Sequence, residues 1–92
     1  MLEKNIQSKI VALLKQKAYI VRKLDSSSSV GWPDLIAIAP CGKVFFFEVK
    51  TKTGKLSALQ TRTLTQLKRN NANAHVVRSP EEVAAIIAAR PE

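Results

Sequence analysis

The feature that most constrains the fold is a pair of short apolar segments separated by a Pro-Cys-Gly turn. Residues 35–39 carry no polar side chain, and residues 44–49 carry only one, Glu48. Runs of β-branched and aromatic residues bounded by Pro and Gly are typical of β-strands, so we predict a hairpin with strands over 33–39 and 43–50. Successive side chains of a strand point to opposite faces, so strands that are apolar throughout must be covered on both faces.

The turn between these strands sets which residues face each other. Residues 40–42 predict a three-residue turn whose final glycine takes the left-handed conformation. This turn places Ile38 opposite Val44 and therefore Asp34 opposite Glu48.

The end of the hairpin collects three charged side chains. Alternation along the strands puts Asp34, Glu48 and Lys50 on one face of the sheet. Two carboxylates crowded in a half-buried place raise each other's pKa unless a cation lies between them. The three residues alone are compatible with an ion pair at a strand end and equally with a divalent-metal site.

The charge balance indicates a polyanionic partner. The chain of 92 residues has 15 Lys and Arg against 7 Asp and Glu, a net charge of +8. Three of the acids, Glu3, Asp34 and Glu48, stand alone within otherwise basic stretches. An excess of positive charge this large on a small chain favours nucleic acid as the partner.

Length and residue usage narrow the remaining possibilities. The length predicts a single domain over residues 1–92. The single cysteine, Cys41, excludes an internal disulfide, and the single histidine, His75, removes most zinc and His-triad chemistry. No apolar run is long enough to span a membrane, and we expect a cytoplasmic protein.

The first helix is predicted over residues 2–17, with one broad apolar face. Glu3 falls on that face, between Ile10 and Leu14, rather than among the polar residues. It is either a first-turn acid favoured by the helix dipole or an acid directed at the sheet.

The remaining elements complete a small α/β domain. Further strands are predicted over 18–24 and 74–78, and further helices over 57–70 and 80–89. The order is an α-β-β-β-α-β core plus a C-terminal helix, which predicts a small mixed β-sheet flanked by helices.

Three polar or aromatic features are each compatible with more than one role. Ser57 and Gln60 match a capping box, and Gln60 also falls on the inner helix face, so capping and a site contact are both open. The serines at 26–29 form a connector or hold phosphates. Trp32, the only tryptophan, belongs to the core, to a dimer contact or to a base-stacking site.

These residues resemble a known family. Pro33-Asp34 followed by Glu48-Val49-Lys50 resembles the signature of the PD-(D/E)xK nuclease superfamily, which has a restriction-endonuclease-like fold. With Glu3, the Gly-x-Pro-Asp of residues 31–34 and Gln60, the pattern is similar to the virus-type replication-repair nuclease (VRR-NUC) domain. The resemblance covers nearly the whole chain. It implies a stand-alone phage or bacterial homodimer that acts on branched DNA, including Holliday junctions.

The resemblance also implies a role for each site residue. Asp34 and Glu48 would bind Mg²⁺, or Mn²⁺ in its place, together with the backbone carbonyl of Val49. Glu3 would lie at the edge of that site, directly or through water. Lys50 would orient or activate the attacking water and offset charge on the transition state. Gln60 would help to position Lys50 or the water. Hard oxygen ligands of this kind suit Mg²⁺ and Mn²⁺.

The implied activity is metal-dependent, structure-selective DNA cleavage, with a Holliday junction resolvase as the first expectation. The alternatives are a flap or general DNA endonuclease and a catalytically silent basic module that binds nucleic acid. Candidate phosphate contacts, which are independent of base sequence, are Lys52, Lys55, Arg62, Lys4, Lys9, Lys23, Ser28 and Ser29. Candidate dimer contacts, each of them equally a candidate for the core, are Trp32, Phe45, Phe47, Val83, Ile86 and Ile87.

Overall fold

The computed structural model describes residues 1–24 and 30–89. Within these ranges the chain forms three helices and four strands in the predicted order. The elements are α1 (Glu3–Gln16), β1 (Ile20–Lys23), β2 (Leu35–Ile38), β3 (Val44–Val49), α2 (Ala58–Arg69), β4 (Asn73–Val77) and α3 (Pro80–Ala88).

The four strands form one mixed sheet in the order β1-β2-β3-β4. The first two pairings are antiparallel, and β3 pairs with β4 in parallel. Ile38 pairs with Val44, as the turn predicts, and Gly42 has a φ of +92°. Continuing this register past Leu35 and Phe47 brings Asp34 opposite Glu48.

Helix α1 and helix α3 cover one face of the sheet. The buried apolar stripe of α1 consists of Ile6, Ile10 and Leu14. These side chains pack in the core with the inward residues of the sheet and with α3; the buried partners are Leu35, Ala37, Phe45, Phe47, Val49, Val77 and Val83. Three candidate dimer contacts, Phe45, Phe47 and Val83, are therefore core residues, 3%, 0% and 0% exposed. Ile86 and Ile87 pack partly buried against the same core.

The start of α1 differs from the helical-wheel prediction. Leu2 belongs to the predicted apolar face but is 64% exposed. It precedes the first helical residue and has an extended backbone, with a ψ of 145°, so the wheel's geometry does not apply to it. The helix ends near Lys17, followed by Ala18 at a φ of +64°.

Helix α2 covers the other face, mainly over β4. Ser57 caps the helix, and its buried residues are Thr63 and Leu64. Leu59, in the first turn of α2, is 43% exposed because it packs beside a loop rather than under the sheet. The opposite edge strand, β1, is not covered by α2 on this face, and its Ile20 is 63% exposed. In the described ranges no helix is long and apolar enough to cross a membrane.

Candidate active site

Asp34 is fixed at the point where the chain enters β2. Its backbone carbonyl accepts a hydrogen bond of 2.9 Å from the amide of Leu24, at the end of β1. Its carboxylate Oδ2 accepts a hydrogen bond of 2.8 Å from the amide of Val49. The carboxylate is thus tied to the backbone of the Glu48-Val49-Lys50 segment.

Glu48 is a buried acid on the face of the sheet that α2 covers. Its side chain is 1% exposed, and its Oε2 lies 3.8 Å from Nζ of Lys50. The amide Nε2 of Gln60 donates a long hydrogen bond of 3.4 Å to the same oxygen. Burying a carboxylate is costly unless positive charge and hydrogen bonds compensate it, and here the compensation is partial.

The proton affinity of Glu48 reflects this partial compensation. Its pKa is raised from 4.5 to about 8, first by burial and then by the charge of Asp34 and a hydrogen-bonding contact with it. Lys50 lowers the pKa and Glu3 raises it, but both are smaller effects than burial. Two carboxyl groups held this close favour either a shared proton or a cation between them.

Gln60 fulfils both readings left open by the sequence. Its side-chain Oε1 accepts a hydrogen bond of 2.9 Å from the backbone amide of Ser57. Its backbone amide donates a hydrogen bond of 3.1 Å to Oγ of Ser57, which completes the capping box. The side-chain nitrogen of Gln60, Nε2, is therefore free to donate its long hydrogen bond to Glu48. The capping box therefore locks the rotamer that contacts the acidic site.

The donor set fits a hard divalent cation. Asp34 and Glu48 supply carboxylate oxygens, and Val49 directs its amide towards Asp34, so its carbonyl points to the same side of the strand. Glu3 is close enough to raise the pKa of Glu48. Among the residues that the structure describes, no three Asp, Glu, His or Cys side chains converge as a ready-made cluster, so the site offers two carboxylates and backbone oxygen.

Arg78, which sequence reasoning missed, holds the loop after Lys50. Its Nη1 donates to the carbonyls of Thr51 at 2.5 Å and Gly54 at 2.7 Å, and lies 3.4 Å from that of Lys52. The amide of Arg78 in turn donates to Oε1 of Glu82 in the first turn of α3. The C-terminal helix is thereby connected to the segment that carries Lys50, a connection between residues at least 24 positions apart that leaves no local sequence pattern.

The candidate phosphate contacts divide into two groups. Lys52 and Lys55 lie exposed in the loop that Arg78 holds, and Lys23 is exposed at the strand end paired with Leu35, next to Asp34. Exposed residues further along the helices make up the second group, Lys4, Lys9 and Arg62. Ser28 and Ser29 lie outside the described residues.

A mixed sheet that presents Asp34, Glu48 and Lys50 at one end, between helices on both faces, defines a nuclease-type α/β fold. The sequence matches the family model described as the VRR-NUC domain over residues 2–81. The chain therefore belongs to the VRR-NUC family, and the predicted family and fold class are confirmed.

Two solved structures support this assignment. One, described as a VRR_NUC domain, is 30% identical, has a TM-score of 0.85 and covers 97% of each chain. A second, described as a VRR_NUC domain protein, shares the fold at 16% identity, with a TM-score of 0.71 over 96% of this chain and 86% of the other. No functionally curated protein matches the sequence.

Proposed function

We propose that the chain is an endonuclease that hydrolyses DNA phosphodiester bonds with Mg²⁺, cuts branched rather than sequence-defined DNA, and acts on four-way junctions as a homodimer. The observation that carries this proposal is the buried Glu48 carboxyl beside Asp34, with Lys50 as its only close ammonium partner in the described residues. An ion pair maintained for stability alone does not require the second carboxylate.

The proposal assigns each side chain a task. Asp34 and Glu48 bind the cation, with the Val49 carbonyl as a further oxygen ligand and Glu3 at the edge. A bound Mg²⁺ polarises the scissile phosphate and lowers the pKa of the attacking water. Lys50 orients that water and offsets negative charge on the phosphate in the transition state. The amide of Gln60 steadies Glu48.

The DNA partner is supported by charge and by its distribution around the site. The chain carries +8, and three exposed lysines lie on segments that adjoin the acidic pair in sequence or strand register, namely Lys23, Lys52 and Lys55. Contacts from lysine to phosphate are independent of base sequence and weaken steeply with salt. Resolving a four-way junction requires two opposed cuts, which is the reason for proposing two copies.

The decisive experiment is cleavage of a synthetic four-way junction by the purified chain in Mg²⁺, with EDTA as the control. We expect paired nicks in opposed strands. Asp34→Ala and Lys50→Ala should abolish cleavage while junction binding persists. Matched controls are Glu81→Ala and Lys43→Ala, which remove an exposed acid and an exposed lysine away from the site.

Each other outcome identifies an alternative. Cleavage of flaps or linear duplex with the junction left intact points to a flap or general endonuclease. Binding with no cleavage in Mg²⁺ or Mn²⁺ points to a catalytically silent module. Normal cleavage by Asp34→Ala or Lys50→Ala would refute the assigned site, and a monomeric mass with bound junction would refute the homodimer.

A further inference from the structure

A cleft next to the acidic site has no part in the proposed chemistry. Its volume is about 320 Å³. One wall is the indole of Trp32, and the other is the second half of α2; the lining residues on α2 are Thr63, Gln66, Leu67, Arg69 and Asn70. The volume is at the lower end of the range of about 300–1,000 Å³ for small-ligand sites, which suits a single planar group better than a helix.

Trp32 is held in place although it is largely uncovered. The indole is 44% exposed and makes an edge contact with Phe46, with ring centroids 5.9 Å apart. Gly31 before it has a φ of +81° and packs so closely on α2 that a Cβ there would lie 2.5 Å from Cγ of Leu59. The close approach sets the indole beside the helix and leaves a ring face for another planar group.

The chemistry of the opposite wall is that of a base site. Gln66 and Asn70 carry amides that donate and accept hydrogen bonds, and Arg69 adds a planar cation. Aromatic rings and guanidinium planes are the groups on which proteins stack unpaired bases, while amides bind the exposed base edges. Four of the six lining residues are polar or charged, which favours an occupant that forms hydrogen bonds over the apolar face of a second copy of the chain.

The cleft and the acidic site are built from the same two segments of the chain, the stretch that precedes β2 and helix α2. Trp32 is two residues before Asp34, and Gln66 is six residues after Gln60 on the same helix. At a rise of 1.5 Å per residue, that helical separation is about 9 Å. It corresponds to about three nucleotide steps of 3.4 Å along a strand.

We propose that this cleft binds an unpaired nucleobase, stacked on Trp32 and contacted at its edge by Gln66 or Asn70, and so directs cleavage to branched DNA in which a base near the branch point is unpaired. This inference rests on the proposed function, since it assumes that DNA enters the acidic site. The cleft would distinguish unpaired from paired DNA, which contacts to phosphates alone do not do.

Trp32 is the only tryptophan, so its fluorescence reports the cleft directly. The full chain is titrated in EDTA, which prevents cleavage, with three DNAs: a duplex with one unpaired adenine, the same duplex with an abasic residue at that position, and the fully paired duplex. We expect strong quenching by the first DNA only. Labelled DNA gives the affinities in parallel by anisotropy.

The variants test the contacts. Trp32→Ala should weaken binding of the adenine duplex by roughly 10- to 100-fold, the range of base–aromatic stacking, and change the paired duplex by less than about twofold. The affinity of Trp32→Phe for the adenine duplex should lie between those of the wild type and Trp32→Ala. Gln66→Ala should lose part of the preference for the adenine duplex over the paired duplex. Ile20→Ala, which removes an apolar side chain on β1 that is even more exposed than Trp32, is the control.

Equal quenching by all three DNAs, or equal weakening of all three by Trp32→Ala, would overturn the inference. So would a dimer that Trp32→Ala converts to a monomer, because the cleft would then be covered by a second copy. If Trp32→Ala does not fold, the inference is decided by the fluorescence quenching of the wild type and by the DNA affinities of Gln66→Ala. Failure to bind any DNA would instead refute the proposed function.

Discussion

Arg78, at the end of β4, donates a hydrogen bond of 2.7 Å from its guanidinium to the carbonyl of Gly54, in the loop between β3 and α2. The same nitrogen also bonds Thr51, one residue after Lys50. The loop that carries Lys52 and Lys55 is therefore shaped from the other end of the fold, through α3 and Glu82.

Arg78→Ala is expected to lower the free energy of unfolding by about 1–3 kcal/mol, because the partly buried carbonyl of Gly54 loses the guanidinium donor and that of Thr51 keeps only the amide of Gly54. It should also lower kcat for DNA cleavage more than it raises KM, since Lys50 loses the support of the loop. Urea unfolding and cleavage kinetics measure the two effects.

Arg78→Lys is the informative companion, because an ammonium retains the charge but lacks the planar fork. It should recover less than half of the lost kcat. Arg22→Ala, which removes an exposed arginine on β1, is the control. If Arg78→Ala behaves like Arg22→Ala in both measurements, the loop does not depend on the guanidinium.

Asp34→Asn should separate the structural role of Asp34 from its chemical role. The asparagine Oδ1 can still accept the hydrogen bond from the Val49 amide, so the unfolding free energy should change by less than about 1 kcal/mol. Cleavage should fall by at least about 100-fold, because one of the two carboxylates that bind the cation is gone. Asp34→Ala loses both the hydrogen bond from the Val49 amide and the carboxylate. Normal cleavage by Asp34→Asn would contradict a role of Asp34 in cation binding.

The raised pKa of Glu48 makes the metal-free protein less stable as pH rises. The folded state keeps its proton up to about 8, whereas the unfolded carboxyl releases it near 4.5. The unfolded state therefore binds fewer protons between these values, so unfolding becomes easier with rising pH, by up to about 1.4 kcal/mol per pH unit. Asp34 and Glu3 strengthen this effect, and Lys50 opposes it.

Thermal unfolding in EDTA from pH 5 to pH 9 measures this dependence, and Glu48→Gln should flatten it. Added Mg²⁺ should raise Tm most at the highest pH, because cation binding competes with the proton. A wild-type Tm that rises over this range in EDTA would contradict the prediction.

Gln60→Glu is expected to preserve the cap of α2 and damage the site. A glutamate can still accept from the Ser57 amide, but its second oxygen replaces the amide that faces Glu48. The metal-free variant should lose Tm mainly above pH 7, where two carboxylates repel. Gln60→Ala, in contrast, should cost about 1 kcal/mol at every pH, because the Ser57 amide loses its side-chain acceptor while Ser57 Oγ still caps the backbone amide of residue 60.

The sequence predicts those parts of the site that depend on residues close together along the chain, and it misses those that depend on tertiary contacts. The hairpin register follows from a three-residue turn, and the double role of Gln60 follows from a capping box that spans four residues. Periodicity could not predict that Leu59 is exposed, because its neighbour is the loop at Gly31 rather than the sheet. The Arg78 contacts depend on β4 lying beside β3, a tertiary pairing, so no pattern near Arg78 indicates them.

The contact between Gly31 and Leu59 gives a test of how the Asp34 loop is positioned. Gly31→Ala adds a Cβ at 2.5 Å from Cγ of Leu59 and at a φ of +81°, so it meets both a steric clash and backbone strain. We expect it to lower the unfolding free energy by about 1–3 kcal/mol, the range of strained backbone positions, and to reduce cleavage by shifting Asp34.

Leu59→Ala removes the clashing atoms and leaves the backbone strain in place. Because Leu59 is 43% exposed, the single variant should cost less than about 1 kcal/mol. The double variant Gly31→Ala/Leu59→Ala should then recover the steric part of the loss, which appears as a favourable coupling of at least about 0.5 kcal/mol in a double-mutant cycle measured by urea unfolding. Additive effects of the two changes would mean that the loop is set by the φ of Gly31 alone and that α2 does not determine where Asp34 lies.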